Sequence, residues 1–112
     1  MNIQIFGRKK CFDTQKAERY FKERKIKYQY VDLLRYGLSR GEFESVKAAL
    51  GLKEMIEPGT AEYRRLNMQQ LGTGSAAEDV VFRNPGLLKS PIVRNGRKAT
   101  AGYRPDIWKD WE

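Results

Sequence analysis

The chain contains no histidine, and that absence removes more chemistry than any other feature of its composition. Ser-His-Asp and Cys-His catalysis are excluded, together with the usual zinc constellations built on imidazole. A single cysteine, Cys11, cannot close an internal disulfide, which agrees with a reducing, cytoplasmic setting. No apolar run reaches the ~18 residues that a membrane-spanning helix needs, so no membrane association is expected. The opening stretch MNIQIFGRKK places a short apolar run before the basic one, the reverse of a secretory signal, so export is not expected either. Acidic residues are in short supply: 14 Asp and Glu stand against 22 Lys and Arg, a formal charge of +8.

What is present describes one globular domain. A length of 112 residues suffices for a single core, and 40% hydrophobic with 32% charged residues is an ordinary balance. The positive surplus gathers between Arg8 and Lys27, where nine cations (Arg8, Lys9, Lys10, Lys16, Arg19, Lys22, Arg24, Lys25 and Lys27) face three acids (Asp13, Glu18 and Glu23). Such a surplus describes either a solvated basic helix face or a surface that attracts anions. No platform of interleaved aromatic and basic residues accompanies it, so direct nucleic-acid binding is not expected.

Periodicity gives an order of elements. NIQIF at 2–6 reads as a short strand, and Gly7 opens a basic turn. Asp13 or Thr14 can cap a helix running to about Lys25, with Ala17, Tyr20 and Phe21 on one face. Ile26, Tyr28 and Tyr30 alternate with polar residues in a second strand over 26–33, and a right-handed crossover makes the two strands parallel. Ser39 and Glu42 have capping-box spacing ahead of FESVKAAL, a helix that Gly51 closes. Further helices are expected from about Thr60 to Leu71 and after Ser75, the latter capped by Ser75 and ended by Pro85-Gly86. Asn95-Gly96 between PIV and RKATA signals a hairpin, and a final helix carries Ile107, Trp108 and Trp111 behind Pro105. The order β-α-β, helical block, β-hairpin, α is an α/β thioredoxin-like layout.

Chemistry then falls to Cys11, placed where the first strand hands over to the first helix. Free N–H groups and the dipole at that helix start favour an anion, and Arg8, Lys9 and Lys10 add cations in the same turn. Both effects favour thiolate over thiol, and the thiolate is the nucleophile. In Cys11-Phe12-Asp13-Thr14 the second position of a C-x-x-C pair holds a hydroxyl. Thr14 cannot form a disulfide, although it can donate a hydrogen bond to the thiolate. A redox cycle at Cys11 must therefore take its second sulfur from glutathione, another protein or a second copy of the chain. Pro91, directly after Ser90, opens a strand without supplying a ladder N–H.

Three segments, MNIQIFGRKKCFDTQKAERYF, NPGLLKSPIV at 84–93 and RKATAGYRPDIW, carry a resemblance to the arsenate reductase/Spx family, a glutaredoxin-like branch of the thioredoxin superfamily. The resemblance spans essentially the whole chain. It implies a single thioredoxin-like domain over 1–112, a four-stranded mixed sheet, and a helical insertion at about 39–84. It also implies a reactive thiol at Cys11 and a cis bond before Pro91 facing that thiol. No bound cofactor or metal is implied, and glutathione or glutaredoxin would serve as reductant. Family members that reduce arsenate place arginines around the thiol, where this chain has Ser90, Gly59 and Thr100. Arg64, Arg65, Arg94 and Arg97 remain as candidate anion-binding residues. Spx-type members bind RNA polymerase and sense oxidants through C-x-x-C, a switch that Thr14 removes; Gly51 resembles in position a glycine of that contact surface. Two functions are therefore expected in competition. One is a cytoplasmic monothiol oxidoreductase resolved by glutathione or a protein thiol; the other is a non-enzymatic regulator docked on RNA polymerase or another protein.

Overall fold

A computed structural model describes residues 1–112. Its sheet is built around β1 (Ile3–Gly7), which pairs in parallel with β2 (Tyr28–Asp32) from Ile3↔Tyr28 to Gly7↔Asp32. On its other side β1 runs antiparallel to β3 (Ile92–Asn95), which pairs in turn with β4 (Lys98–Ala101). The order β2-β1-β3-β4 is the expected four-stranded mixed sheet. The hairpin loop is Gly96-Arg97, one residue later than the Asn-Gly pair suggested, and Gly96 takes the positive φ of 61° that the tight turn requires.

Alternation along β1 feeds two cores, one on each face of the sheet. Ile3 and Ile5 pack with Val93, with Trp108 and with the face of α1 (Phe12–Glu23) that carries Ala17, Tyr20 and Phe21. That face is the one the i, i+3, i+4 spacing predicts. Phe6 and Ile92 point the other way, into a larger cluster supplied by the helices between β2 and β3. The intervening helices are α2 (Leu33–Tyr36), α3 (Arg40–Leu50), α4 (Leu52–Met55), α5 (Ala61–Arg65), α6 (Met68–Leu71) and α7 (Ser75–Arg83), followed by a 3₁₀ turn at Pro85–Leu87. None of the helices is long and apolar enough to cross a membrane.

Local signals held where a cap was written in side chains. Ser39 and Glu42 form both bonds of the capping box on α3, and Gly51, at φ 80°, ends it. The helix expected from Thr60 to Leu71 is instead two short ones, broken at Asn67, whose left-handed φ of 57° turns the chain so that Met68 is buried. Helix α7 starts at Ser75 with Gly74 at its cap and no side-chain capping bond, so Ser75 does not cap it. The second strand covers 28–32 rather than 26–33, because Lys25 adopts φ 57° and Ile26 turns into the α1 core. Helices α2 and α4 span one turn each, too short to leave a periodic pattern. Helix α1 begins at Phe12 with Cys11 itself as the cap, not Asp13 or Thr14.

The last α-helix, α8 (Pro105–Trp108), passes into a 3₁₀ turn at Lys109–Trp111, and the Trp108 indole is fully buried against Tyr20 and Phe21 and donates from Nε1 to Thr100 Oγ1 at 2.8 Å. Thr100 is thus a core partner of Trp108. Thr100→Val preserves its shape but orphans a buried N–H, and should cost about 1–3 kcal/mol in urea unfolding of the variant against the parent.

Candidate functional site

At the end of β1 the backbone makes a turn closed by Cys11 N–H donating to the Arg8 carbonyl at 3.1 Å. Cys11 then stands at the cap of α1 with extended φ and ψ of −84° and 121°, and its carbonyl accepts the first helical bond from Gln15 N. The thiol is half-buried and donates to the Ser90 carbonyl at 3.4 Å. The Ser90–Pro91 bond is cis, the conformation that the family resemblance implies. Antiparallel pairing of Phe6 with Ile92 carries the segment before β3 alongside the turn after β1, which is why residues 8, 11 and 90 meet.

Ser90 occupies the middle of the contact. Its Oγ accepts from the Arg8 backbone N–H at 3.1 Å and lies 2.8 Å from Thr14 Oγ1. Thr14 is fully buried, and Gly7 makes room for it: a Cβ on Gly7 would stand 2.5 Å from both Thr14 Cγ2 and Oγ1. Tyr30 adds a phenol that donates to the Gly7 carbonyl at 3.1 Å. Burial, with the charges of Asp32, Glu18 and Cys11, holds that phenol above its ordinary range.

Burial pushes the Cys11 thiol up, but hydrogen bonds to sulfur outweigh it: the Thr14 hydroxyl and N–H, the Ser90 hydroxyl and the Asp13 N–H together hold the group below its ordinary value. The helix N-terminus acts as expected. The three cations do not. Lys9 and Lys10 are exposed, and Arg8 is turned aside to donate from Nη2 to the Gly86 carbonyl at 2.8 Å, with its Nε buried and unpartnered. Local hydrogen bonding rather than nearby positive charge sets this thiol.

A cleft of about 400 Å³ opens over the sulfur, lined by Arg8, Lys10, Cys11, Glu57, Thr60, Leu88 and Ser90. Arg8 is the one arginine in it. Arg94 is tied by Nη1 to Gln4 Oε1 at 2.7 Å and by Nε to Ser45, and Arg65 pairs with Glu62 at 2.7 Å. Arg64 and Arg97 are exposed and do not line the cleft, so none of these four arginines builds an anion pocket at Cys11. Glu57 and Thr60 were not signalled as site residues, and Ser90 only as the residue standing where arsenate-reducing members place an arginine. Their contribution comes from contacts more than 45 residues away in sequence, and local pattern does not show them. No group of three or more His, Cys, Asp or Glu side chains is arranged to hold a metal ion.

A cysteine that caps the first helix and bonds the carbonyl preceding a cis proline, at one end of a β2-β1-β3-β4 sheet, defines a thiol protein of thioredoxin-like fold. Within that class the chain belongs to the ArsC family, whose model matches residues 6–111. It is 29% identical over 110 residues to the global transcriptional regulator Spx 2 of Oceanobacillus iheyensis, covering 95% of this chain and 80% of that protein. The Spx of Listeria innocua is 24% identical, with 93% and 82% covered. Among solved structures, a putative ArsC family related protein from Bacteroides fragilis superposes with TM-score 0.87 at 20% identity, over 100% of this chain and 98% of that one. An arsenate reductase from Vibrio cholerae superposes with TM-score 0.85 at 21% identity, over 98% and 97%.

The lowered thiol has two measurable consequences. Iodoacetamide alkylation of Cys11 should follow a titration with its midpoint below the ~8.5 of a free cysteine. Between the folded and unfolded midpoints the unfolded chain binds more protons, so stability rises with pH across that window and is lost as pH falls through the folded midpoint. Comparing urea midpoints of the parent and Cys11→Ser from neutral to alkaline pH should therefore show the parent gaining relative to the serine variant.

Proposed function

We propose that the protein is a cytoplasmic monothiol redox protein in which Cys11 is the nucleophile and an external thiol, glutathione or a protein cysteine, is the resolving partner. The observation that carries this reading is the half-buried Cys11 sulfur at the cap of α1, held below its ordinary pKa by converging donors. No second cysteine exists in the chain, and Thr14 fills the position a resolving cysteine would take. With a disulfide such as oxidised glutathione, the Cys11 thiolate attacks one sulfur, the S–S bond breaks and a glutathione thiolate leaves. A second glutathione thiolate then attacks the mixed disulfide, releasing Cys11 as thiolate and restoring oxidised glutathione. Arg8, Lys10 and Ser90 border the space an incoming thiol would occupy.

Arsenate is a poor fit. A tetrahedral oxyanion is held best by bidentate guanidinium forks, and the single arginine of the cleft already spends Nη2 on the Gly86 carbonyl. The names of the relatives favour a second reading, a non-enzymatic regulator that docks on RNA polymerase or another protein partner. Binding of Cys11→Ser to purified RNA polymerase as tightly as the parent, with no thiol turnover in the parent, would select it.

Incubation with oxidised glutathione followed by intact mass should show one glutathione added to the parent and none to Cys11→Ser. Added glutathione should regenerate the thiol, and arsenate reduction with glutathione and glutaredoxin should be weak or absent. Failure of the parent to take up glutathione would remove the redox reading.

A further inference from the structure

We propose that the thiol cleft and the cleft beside it form one groove for an extended, acidic segment of a partner protein, with Arg8 receiving a carboxylate of that segment while its cysteine meets Cys11. This rests on Cys11 being the reactive thiol, and it selects a protein cysteine rather than glutathione as the sulfur the site is shaped for. The second cleft, of about 490 Å³, is bordered by Leu34, Arg83, Pro85 and Gly86. Arg8 and Thr60 line both clefts and so mark where they meet. The thiol cleft alone, at about 400 Å³, falls within the ~300–1,000 Å³ of a small-ligand site, which leaves the second as room for a longer chain.

Arg8 supplies the selecting charge. It is half-buried, yet no carboxylate of the chain pairs with it. Its guanidinium is engaged only from Nη2, on the Gly86 carbonyl; Nε is buried without a partner and Nη1 makes no bond to the protein. Arg94, also half-buried, shows the satisfied arrangement, with Nε on Ser45 and Nη1 on Gln4. A partly desolvated guanidinium left this open is unfavourable by itself and gains from an incoming carboxylate, which can take two N–H groups in one plane. The Gly86 bond meanwhile holds the group at the junction of the clefts. Other charges along the groove offset one another: Arg83 pairs with Asp79 and Glu62 with Arg65, which leaves Lys10 against Glu57. Beyond Arg8, the exposed Leu34 borders the second cleft with Pro85 and offers a seat for an apolar side chain. A segment along the groove thus sets an apolar residue at Leu34, a carboxylate at Arg8 and its cysteine at Cys11. Where that cysteine is in a disulfide, the Cys11 thiolate attacks its sulfur, a new S–S bond forms, the old one breaks, and the other sulfur leaves as thiolate.

The test uses short peptides whose central cysteine is activated as a 2-pyridyl disulfide, so that attack by Cys11 releases 2-thiopyridone. One peptide carries glutamates around the cysteine and a leucine at each end; its twin has glutamines in place of the glutamates. The parent should react several-fold faster with the acidic peptide. Arg8→Gln should remove most of that preference, whereas Arg97→Gln, which deletes an exposed charge outside the groove, should keep it. Equal rates for the two peptides in the parent, or a preference that Arg8→Gln leaves intact, would overturn the proposal. Should Arg8→Gln not fold, NMR on the isotope-labelled parent decides. The acidic peptide with serine for cysteine should shift the Arg8 Nε–H resonance together with the Leu34 and Gly86 amides; shifts confined to the thiol cleft, or none, refute the groove. That titration needs no reactivity at Cys11, whereas the redox reading rests on glutathione uptake by the parent, so either can fail alone.

Discussion

Everything at the site depends on β1 being paired on both edges. Parallel pairing with β2 ends both strands at the same level, Gly7 beside Asp32, and antiparallel pairing with β3 brings Ile92 beside Phe6. The chain leaving β1 must therefore turn directly next to the chain arriving at β3. Cys11 and Ser90, 79 residues apart in sequence, become neighbours through strand register alone. The same strand divides the interior, sending Ile3 and Ile5 toward α1 and Trp108, and Phe6 toward the inserted helices. A slip of one residue would exchange those faces and carry the thiol away from its partners.

Much of this arrangement was readable from residues. The βαβ opening, the hairpin and the terminal helix each left local evidence: alternation in β1 and β2, the Ala17, Tyr20, Phe21 face, Asn95-Gly96, and Pro105 ahead of Trp108. The helical block was harder to read. One-turn helices such as α2 and α4 show no period, and Asn67 breaks a run whose apolar spacing was continuous. Placing Cys11 at the helix start was a matter of local pattern, so it was legible. The cause of its lowered pKa was not. Three cations next to a cysteine look decisive in one dimension, yet lysines at a turn extend into water, while the groups that reach the sulfur are hydroxyls and backbone amides. The threonine was visible; the serine bonded to it lies a whole fold away.

The arginines show the converse. Arg94 sits on β3 one strand from the site, but its side chain projects toward α3 and Gln4, where it links Ser45 to the sheet. Nearness along the backbone does not decide nearness of charge when successive side chains alternate between faces. Within a family that includes arsenate reductase-like structures, this cleft keeps the thiol and its helix cap but offers little guanidinium to an oxyanion.

Gly7 carries a consequence for how this site can change. Its missing Cβ forms a slot filled by the two branches of Thr14, one methyl packed and one hydroxyl bonded. A cysteine at position 14 would complete a dithiol motif in a single substitution, yet it has only one γ atom. It would leave the methyl's space empty and offer the Ser90 hydroxyl a thiol in place of an alcohol. Conversion of this chain to a two-cysteine oxidant sensor by Thr14→Cys alone would therefore leave the slot against Gly7 incompletely filled. The monothiol state is guarded by packing as much as by the absence of a second thiol.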